Sequence, residues 1–554
     1  MLWPVNANQH GEPVLVPAHV VRGMRGAVAS PQHLASQAGI GVLRVGGSAV
    51  DAAIATNAAL SVVAAHSCGL GGDAFWLIWD GQQVHALNGS GRSAGGATLD
   101  AVAAAGLDDM PLRGPWSVNV PGAIHSWGAA HARFGRLEWA DLLAPAAELA
   151  DGFAAGDDWV TAVERSAVVF GTDGDWARTF RPHGRPWHVG ERVALPRLAA
   201  TLRRIGGEGP DTAYTGALAA RAAEYLGQRG SPLRAVDFAR HASDWVVPIS
   251  ISYRGFTSVS HPPNSSGPVA LEMLGLLERF PPPPSEAFGP RGVEDDRWVH
   301  LGLEAARIAL ADRDAVLTDA DDMAEGAVEN LLDRARLDRL AATINPDSAA
   351  GPRPATMPAG GGTIYLATAD GEGNLVSLIE SNYAGFGSGL VDPETGIGYQ
   401  NRGAFFRLDP QHPNVLGPRK RTVHTLTPGM LLREGQAWMA HGAMGGEIQP
   451  QVFAQFLSAV IDGGLDIAAA LAAPRWAADV PGHMQPPSLT VLERPYSEEV
   501  ARGLRRRGHD VSWSAPFSSS MGHAQAVELV EDGAGARSLA AASDPRAPGA
   551  ALAW

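Results

Sequence analysis

Three glycines, Gly360-Gly361-Gly362, stand directly before Thr363 and leave the backbone free of side-chain obstruction next to one hydroxyl. That arrangement suits a self-cleaving N-terminal nucleophile. The Thr363 hydroxyl attacks the Gly362 carbonyl, the chain shifts to an ester, and water then releases a new amino terminus on Thr363. An α-amino group, with a typical pKa of about 7.7–8.0, can act as base for the hydroxyl of its own residue. The same residues also fit a plain loop followed by a β-branched strand residue.

Such a hydroxyl needs a rigid strand behind it. Ile364, Leu366 and Thr368 alternate with Tyr365, Ala367 and Ala369, a period of two that predicts a strand. Asp370-Gly371 and Gly373-Asn374 supply a turn, and Leu375 to Ser381 returns as the second strand of a hairpin. A second hairpin is expected at Met430–Arg433 and Ala437–His441, joined through Glu434-Gly435. It is followed by Gly445-Gly446 and a helix from Gln449 to Ile461.

Upstream, Ser30-Pro31 can open a helix that ends at Gly46-Gly47. Ser48 caps a second helix with Asp51 in its first turn, apolar enough to be buried. Phe75–Trp79 and Gln83–Leu87 read as a hairpin around Asp80-Gly81. From Ser117 to Pro290 the pattern is mainly helical, with loops at Arg181–Gly190 and His261–Gly267, and Pro281–Pro284 stops one helix. Trp298 to Leu317 is another helix. Pro346 to Gly362 is rich in Pro, Gly, Ala and Ser, a linker suited to a scissile site. Gln485–Trp554 reads as strand, helix, strand, strand. Helices come early and hairpins late, with no repeating βα period, so the expected class is α+β: stacked antiparallel sheets with helices outside.

A chain of 554 residues with 45% apolar content can bury a large core as one unit or as several modules. Its formal charge of −15 argues against nucleic acid or an anionic membrane as partner. The lone Cys68 excludes internal disulfides and is read as a buried apolar residue. His66, His85, His125, His261, His424, His441 and His523 fall at no metal-ligand spacing, and no His-Glu-x-x-His, Walker or EF-hand motif is present. No metal or organic cofactor is expected. The N-terminus shows no basic segment followed by an apolar one, which predicts a cytoplasmic protein. No run of about 18 residues is apolar and free of charge and of repeated Gly or Pro, so no membrane span is expected.

Nine stretches, taken in order, resemble the γ-glutamyltranspeptidase family over nearly the whole chain. They are Gly46–Ile54, Gly69–Phe75, Val118–Gly122, Pro262–Gly267, Gly362-Thr363 with its hairpin, Phe386–Gly389, Gly417–Arg421, Gly442–Gly446 and Asp544–Gly549. The resemblance implies an αββα N-terminal-nucleophile hydrolase sandwich made as one proenzyme. The proenzyme would be cut between Gly362 and Thr363 into a large subunit, 1–362, and a small subunit, 363–554, which stay together as one αββα unit. Thr363 then matches the nucleophile and N-terminal base. Ser381 matches the hydroxyl that bonds the threonine's amino terminus, and it also fits a plain strand residue. The Gly445 and Gly446 amides match the oxyanion hole, where bare backbone can approach the tetrahedral oxygen. They also fit a tight turn before a helix.

Departures from the family's transpeptidases fall at the substrate positions. Ser90 stands where an arginine meets the substrate α-carboxylate, Tyr383 replaces an asparagine, Phe405 replaces the aspartate that meets the α-amino group, and His424-Thr425 replaces a serine pair. A cationic amino group facing Phe405 would lose its counter-ion. Gly385–Gly389 and Gln400–Gly403 are closer to a divergent branch that includes cephalosporin acylase-like proteins and an oxamate amidohydrolase. Arg92 and Arg402 are candidates to anchor a substrate carboxylate, or else structural residues. Only Arg407–Leu416 lies where lidded members carry an insertion, which predicts an open pocket. The implied activity is hydrolysis of a small acidic amide through a threonyl acyl-enzyme. Its rivals are a true γ-glutamyltransferase or glutathione hydrolase, and an uncleaved, non-enzymatic binding protein.

Overall fold

The computed structural model describes residues 19–351, 362–478, 489–531 and 537–554. The proposed linker falls mostly outside them, at 352–361, as do the N-terminal decapeptide and the start of the last segment at 485–488. No helix among the described residues is long and apolar enough to cross a membrane.

Two seven-stranded sheets lie face to face with helices on both outer sides, the αββα arrangement. The first runs Ala550–Ala553, Gly26–Ser30, Gly362–Asp370, Leu375–Tyr383, Asp73–Trp79, Val84–Gly89, Asp244–Val246. The second runs Val21–Gly23, Arg537–Ser543, His523–Glu531, Gln436–Met444, Gly429–Arg433, Phe256–Ser260, Ile249–Tyr253. Every pairing within them is antiparallel.

The period-two pattern of the central hairpin explains its depth. Tyr365, Ala367 and Ile379 point into the layer between the sheets, while Ile364, Leu366 and Leu378 meet helices outside. Both faces of both strands are therefore buried. The sheets close tightly near Thr363, because Gly442 faces the Tyr365 ring: a Cβ there would lie 2.4 Å from a ring carbon. Only glycine allows that approach.

The helix Ala49–Val63 packs on the outer face of the first sheet and is buried throughout. Its capping box is present, with Ser48 Oγ accepting from the Asp51 amide and the Asp51 carboxylate accepting from the Ser48 amide. The preceding helix differs from expectation by two residues. It spans His33–Arg44 with Gln32 as cap, because Ser30 closes a buried strand and bonds Ser36.

The mainly helical reading of 117–290 also needs correction. Asp244–Val246, Ile249–Tyr253 and Phe256–Ser260 are strands, and the alternation Ile249-Ser-Ile-Ser-Tyr253 carries their signal. The C-terminal segment contains more strand than expected, with five strands around the helix Glu498–Arg506.

Candidate active site

Thr363 and Ser381 face each other across the central hairpin, just past a bulge at Gly362/Thr363. Their hydroxyl oxygens are 3.0 Å apart. Ser381 Oγ also lies 2.7 Å from the Gly362 carbonyl oxygen and accepts the Tyr383 amide at 2.7 Å. A serine has one hydroxyl hydrogen, and the carbonyl can only accept it. The Thr363 hydroxyl is therefore the donor to Ser381, and Ser381 in turn polarises the carbonyl just ahead of Thr363.

Tyr383 ends the strand at φ 75, a left-handed conformation rarely adopted by a bulky residue. Such a backbone turns the chain sharply into Ala384–Gly389. Thr363 is only 1% exposed, so the expectation of an open pocket is not met at the hydroxyl itself: Gly362 continues the strand in front of it.

Asp73 is the cross-strand neighbour of Ser381 on the next strand. Its Oδ1 accepts the Gly91 and Gly122 amides at 3.0 and 3.1 Å, and its Oδ2 lies 3.0 Å from His424 Nε2. Asp73 thus ties three loops to the sheet. Burial, reinforced by the Arg402 charge, pushes His424 down to about 4, so at neutral pH it is an uncharged donor to Asp73.

Asn264 links this network to Asn88, Ser90 and the Thr422 carbonyl. Ser90 donates to Asn88 Oδ1 at 2.6 Å and is wholly buried. Ser90 and His424 are therefore both engaged in a buried scaffold of hydrogen bonds. Thr425 is buried beside them, and its hydroxyl has no partner among the described residues.

Arg402 is the residue that reaches Ser381. Its Nη2 is 3.3 Å from Ser381 Oγ, its side chain is buried, and Nε and Nη1 have no hydrogen-bond partner among the described residues. The guanidinium carbon lies 4.7 Å from the centre of the Tyr383 ring and 5.0 Å from that of Phe405. Those two rings meet edge to face at 4.5 Å. Burial lowers the Arg402 pKa to about 10, and it stays charged at neutral pH. Asp73 and Glu447 are near enough to act on it electrostatically. Phe405, where a counter-ion for an amino group was sought, is instead a wall of this arginine's slot.

Arg92 is engaged elsewhere. Its two terminal nitrogens meet Asp319 at 2.6 Å and Asp321 at 2.8 Å, and Asp319 is only 3% exposed. The guanidinium neutralises a buried carboxylate, which favours the structural alternative for Arg92 over the substrate pocket. Two further residues were missed. Arg113 Nη1 donates to the carbonyls of Ala384, Gly385 and Gly387 and so pins the turn after Tyr383, and nothing in Met110-Pro-Leu-Arg113 signals it. Gly91-Arg-Ser-Ala-Gly95 has the letters of a nucleophile elbow, but Ser93 is buried, with its hydroxyl on the Gly417 carbonyl at 2.5 Å.

Gly445 and Gly446 sit at φ 143 and 61, open to glycine and strained for other residues. A Cβ on Gly445 would also come within 2.6 Å of Ile448. Their location follows from their neighbours. Met444 pairs with His523, and His66 acts electrostatically on His523. The His66 carbonyl lies 3.1 Å from where a Cβ on Gly362 would stand. On the other side, Glu447 pairs with Arg313 at 2.7 and 2.8 Å and acts on Arg402 and Tyr383. The glycine turn and Thr363 thus share one end of the sandwich.

The metal-type cluster found among the described residues is His300, Glu304 and His509. His300 Nε2 bonds the Asn345 carbonyl at 2.8 Å, His509 Nε2 bonds His300 Nδ1 at 2.7 Å, and Arg307 bonds Glu304 at 2.7 Å. These contacts already pair the ligand atoms, and a neighbouring guanidinium opposes a cation there.

A family model described as gamma-glutamyltranspeptidase matches residues 35–554. The "Glutathione hydrolase-like YwrD proenzyme" of Bacillus subtilis (strain 168) is 37% identical over 537 residues, covering 96% of this chain and 99% of that protein. The "Oxamate amidohydrolase proenzyme" of Klebsiella pneumoniae is 35% identical over 545 residues, with 96% and 98% covered. The crystal structure of a cephalosporin acylase from Bacillus halodurans superposes with a TM-score of 0.90 at 37% identity, covering 100% of this chain and 99% of that one. This chain belongs to the gamma-glutamyltranspeptidase family of N-terminal-nucleophile hydrolases.

Proposed function

We propose that the protein cuts itself between Gly362 and Thr363 and then hydrolyses a small amide with an anionic end through an ester on Thr363. One observation carries this reading: the Thr363 hydroxyl, donating to Ser381, directly follows a carbonyl that takes the Ser381 hydrogen. In the cutting step Thr363 Oγ1 bonds to the Gly362 carbonyl carbon, the carbon–nitrogen bond breaks, and the nitrogen takes the hydroxyl proton. Water then cleaves the ester, leaving a Gly362 carboxylate and a Thr363 amine. Release of Gly362 from its pairing with Tyr383 would uncover the buried hydroxyl.

In turnover the free amine takes the hydroxyl proton as Oγ1 attacks the substrate carbonyl, and returns it to the leaving amine. The amides at Gly445 and Gly446 would hold the oxyanion. Water then removes the acyl group. Relatives that include an oxamate amidohydrolase and a cephalosporin acylase support amide hydrolysis as the reaction.

The anionic end is favoured by the buried charge of Arg402, which lacks a carboxylate hydrogen-bond partner among the described residues. An ammonium about 4 Å from it would be repelled by about 4 kcal/mol at an effective dielectric of 20. That argues against the α-amino group of a γ-glutamyl substrate. Denaturing electrophoresis and intact-mass measurement test the cut: two fragments meeting at Gly362/Thr363 support it, and one lasting band supports a binding protein. Activity on oxamate and glutaryl amides, set against γ-glutamyl-p-nitroanilide, tests the substrate. Faster turnover of the γ-glutamyl compound would make the protein a glutathione hydrolase or γ-glutamyltransferase.

A further inference from the structure

We propose that Arg402 is the acyl-side anchor and that it selects very short dicarboxylic monoamides, with the carboxylate on the scissile carbonyl or one carbon from it. The inference rests on the nucleophile reading of Thr363 and deepens it. Two contacts, of 3.0 and 3.3 Å, separate Thr363 Oγ1 from Arg402 Nη2 through Ser381. An attacked carbon stands about 3–3.5 Å from the nucleophile, and a carboxylate oxygen about 2.7–2.9 Å from a guanidinium nitrogen. Both contacts meet the same Ser381 oxygen, so a substrate that reaches Thr363 and Arg402 around it needs only a short link between its two ends. An oxamyl or malonyl group carries its carboxylate and carbonyl that close together, whereas a glutaryl arm must fold to bring them there.

The surroundings sharpen the choice. The Tyr383 and Phe405 rings lie against the guanidinium, so an anion meets it at its edge rather than its face. Arg402 presents two nitrogens without partners among the described residues, and one hydrogen of Nη2 is already directed at Ser381. A carboxylate can therefore be held by two donors while its neighbouring carbonyl faces Thr363. A buried cation with no ion-pair partner among the described residues disfavours the empty site, and binding of a small anion relieves it.

The test measures kcat/KM of the processed protein on oxamate, malonamate, succinamate and glutaramate, with oxamide as the uncharged partner of oxamate. The expected order falls by at least tenfold from the two shortest acids to glutaramate. Oxamate should exceed oxamide by on the order of 10–100-fold, the worth of charge-assisted contacts. Arg402→Gln should bring that ratio near one, with its two-fragment pattern on a gel reporting that it folded.

Calorimetry with oxalate, malonate and glutarate reads the anchor without turnover: wild type should bind the first two more tightly than the third, and Arg402→Gln should lose the difference. Equal rates on oxamate and oxamide, or binding that ignores Arg402, overturn the inference while leaving the amidohydrolase reading intact. An uncut, inactive chain that still binds oxalate through Arg402 overturns the amidohydrolase reading and with it the acyl-side role, leaving Arg402 as an anion site alone. A processed protein whose Gly362 carboxylate stays on Arg402 against added oxalate overturns the inference as well.

Discussion

Thr363 and Ser381 stand opposite each other on adjacent antiparallel strands, hydroxyl to hydroxyl at 3.0 Å, with the Gly362 carbonyl taking the serine's hydrogen. Removing the first hydroxyl should stop both proposed reactions. Thr363→Ala is expected to remain one uncut chain without amide hydrolysis, checked by intact mass and by ammonia release. Thr363→Ser, which keeps a hydroxyl, should still cut.

Ser381→Ala removes the donor to the Gly362 carbonyl and leaves the buried Tyr383 amide without its acceptor. Self-cleavage should slow by on the order of 100-fold. Stability should fall by about 1–3 kcal/mol through the unpaired amide. A time course of fragment appearance, with urea unfolding alongside, reads both effects. Cleavage at the wild-type rate would reduce Ser381 to a strand residue.

Gly445→Ala forces a side chain onto φ 143 and against Ile448. If the Gly445 amide holds the oxyanion, kcat should drop by on the order of 100-fold with little change in KM. A folded, processed Gly445→Ala enzyme with normal kcat would remove that role.

Arg92→Ala should behave as a stability change. Asp319 is buried and would keep the Arg421 amide at 2.7 Å but lose its charged partner. A loss of about 3 kcal/mol in unfolding free energy is expected, with the preference among acidic amides unchanged. A shift in that preference would return Arg92 to the substrate pocket.

His441 governs an acid-sensitive contribution. It is buried against Phe453 and Phe456, both ring nitrogens lack partners among the described residues, and burial pushes it down to about 3 from 6.5. Its folded-state pKa is the lower one, so the unfolded chain gains a proton first as pH falls. Stability from this group is full above about 6.5 and is lost between there and about 3. His441→Leu in the uncut Thr363→Ala chain should therefore stabilise more at pH 5 than at pH 7.5, measured by urea titration at both.

Local features were readable and long-range ones were not. The Ser48 cap with Asp51 in the first turn and the hairpin around Gly371 depend on residues a few places apart, and both appear where expected. The strand Ile249–Tyr253 carried a clear alternation but lay among helices, and the neighbourhood masked it. Arg92 and Arg402 are the instructive pair. Both are arginines in glycine-bearing turns, and nothing local separates one that meets Asp319, far along the chain, from one buried between Tyr383 and Phe405 beside Ser381. Only the assembled fold distinguishes them. At Gly445 and Gly446 the positive φ explains why glycine stands in both places, while their oxyanion role comes from the family resemblance alone.

Strands from both sides of the Gly362–Thr363 step contribute to each sheet: Gly26–Ser30 and Asp73–Trp79 flank the central hairpin, and Phe256–Ser260 borders Gly429–Arg433. Severing that step would leave two fragments of which neither owns a complete sheet. Separation and denaturation would become the same event, and recovery a second-order encounter between polypeptides with bare hydrogen-bonding edges. A mature enzyme of this design would persist through a high unfolding barrier, and diluted, heat-treated samples would not regain activity on cooling.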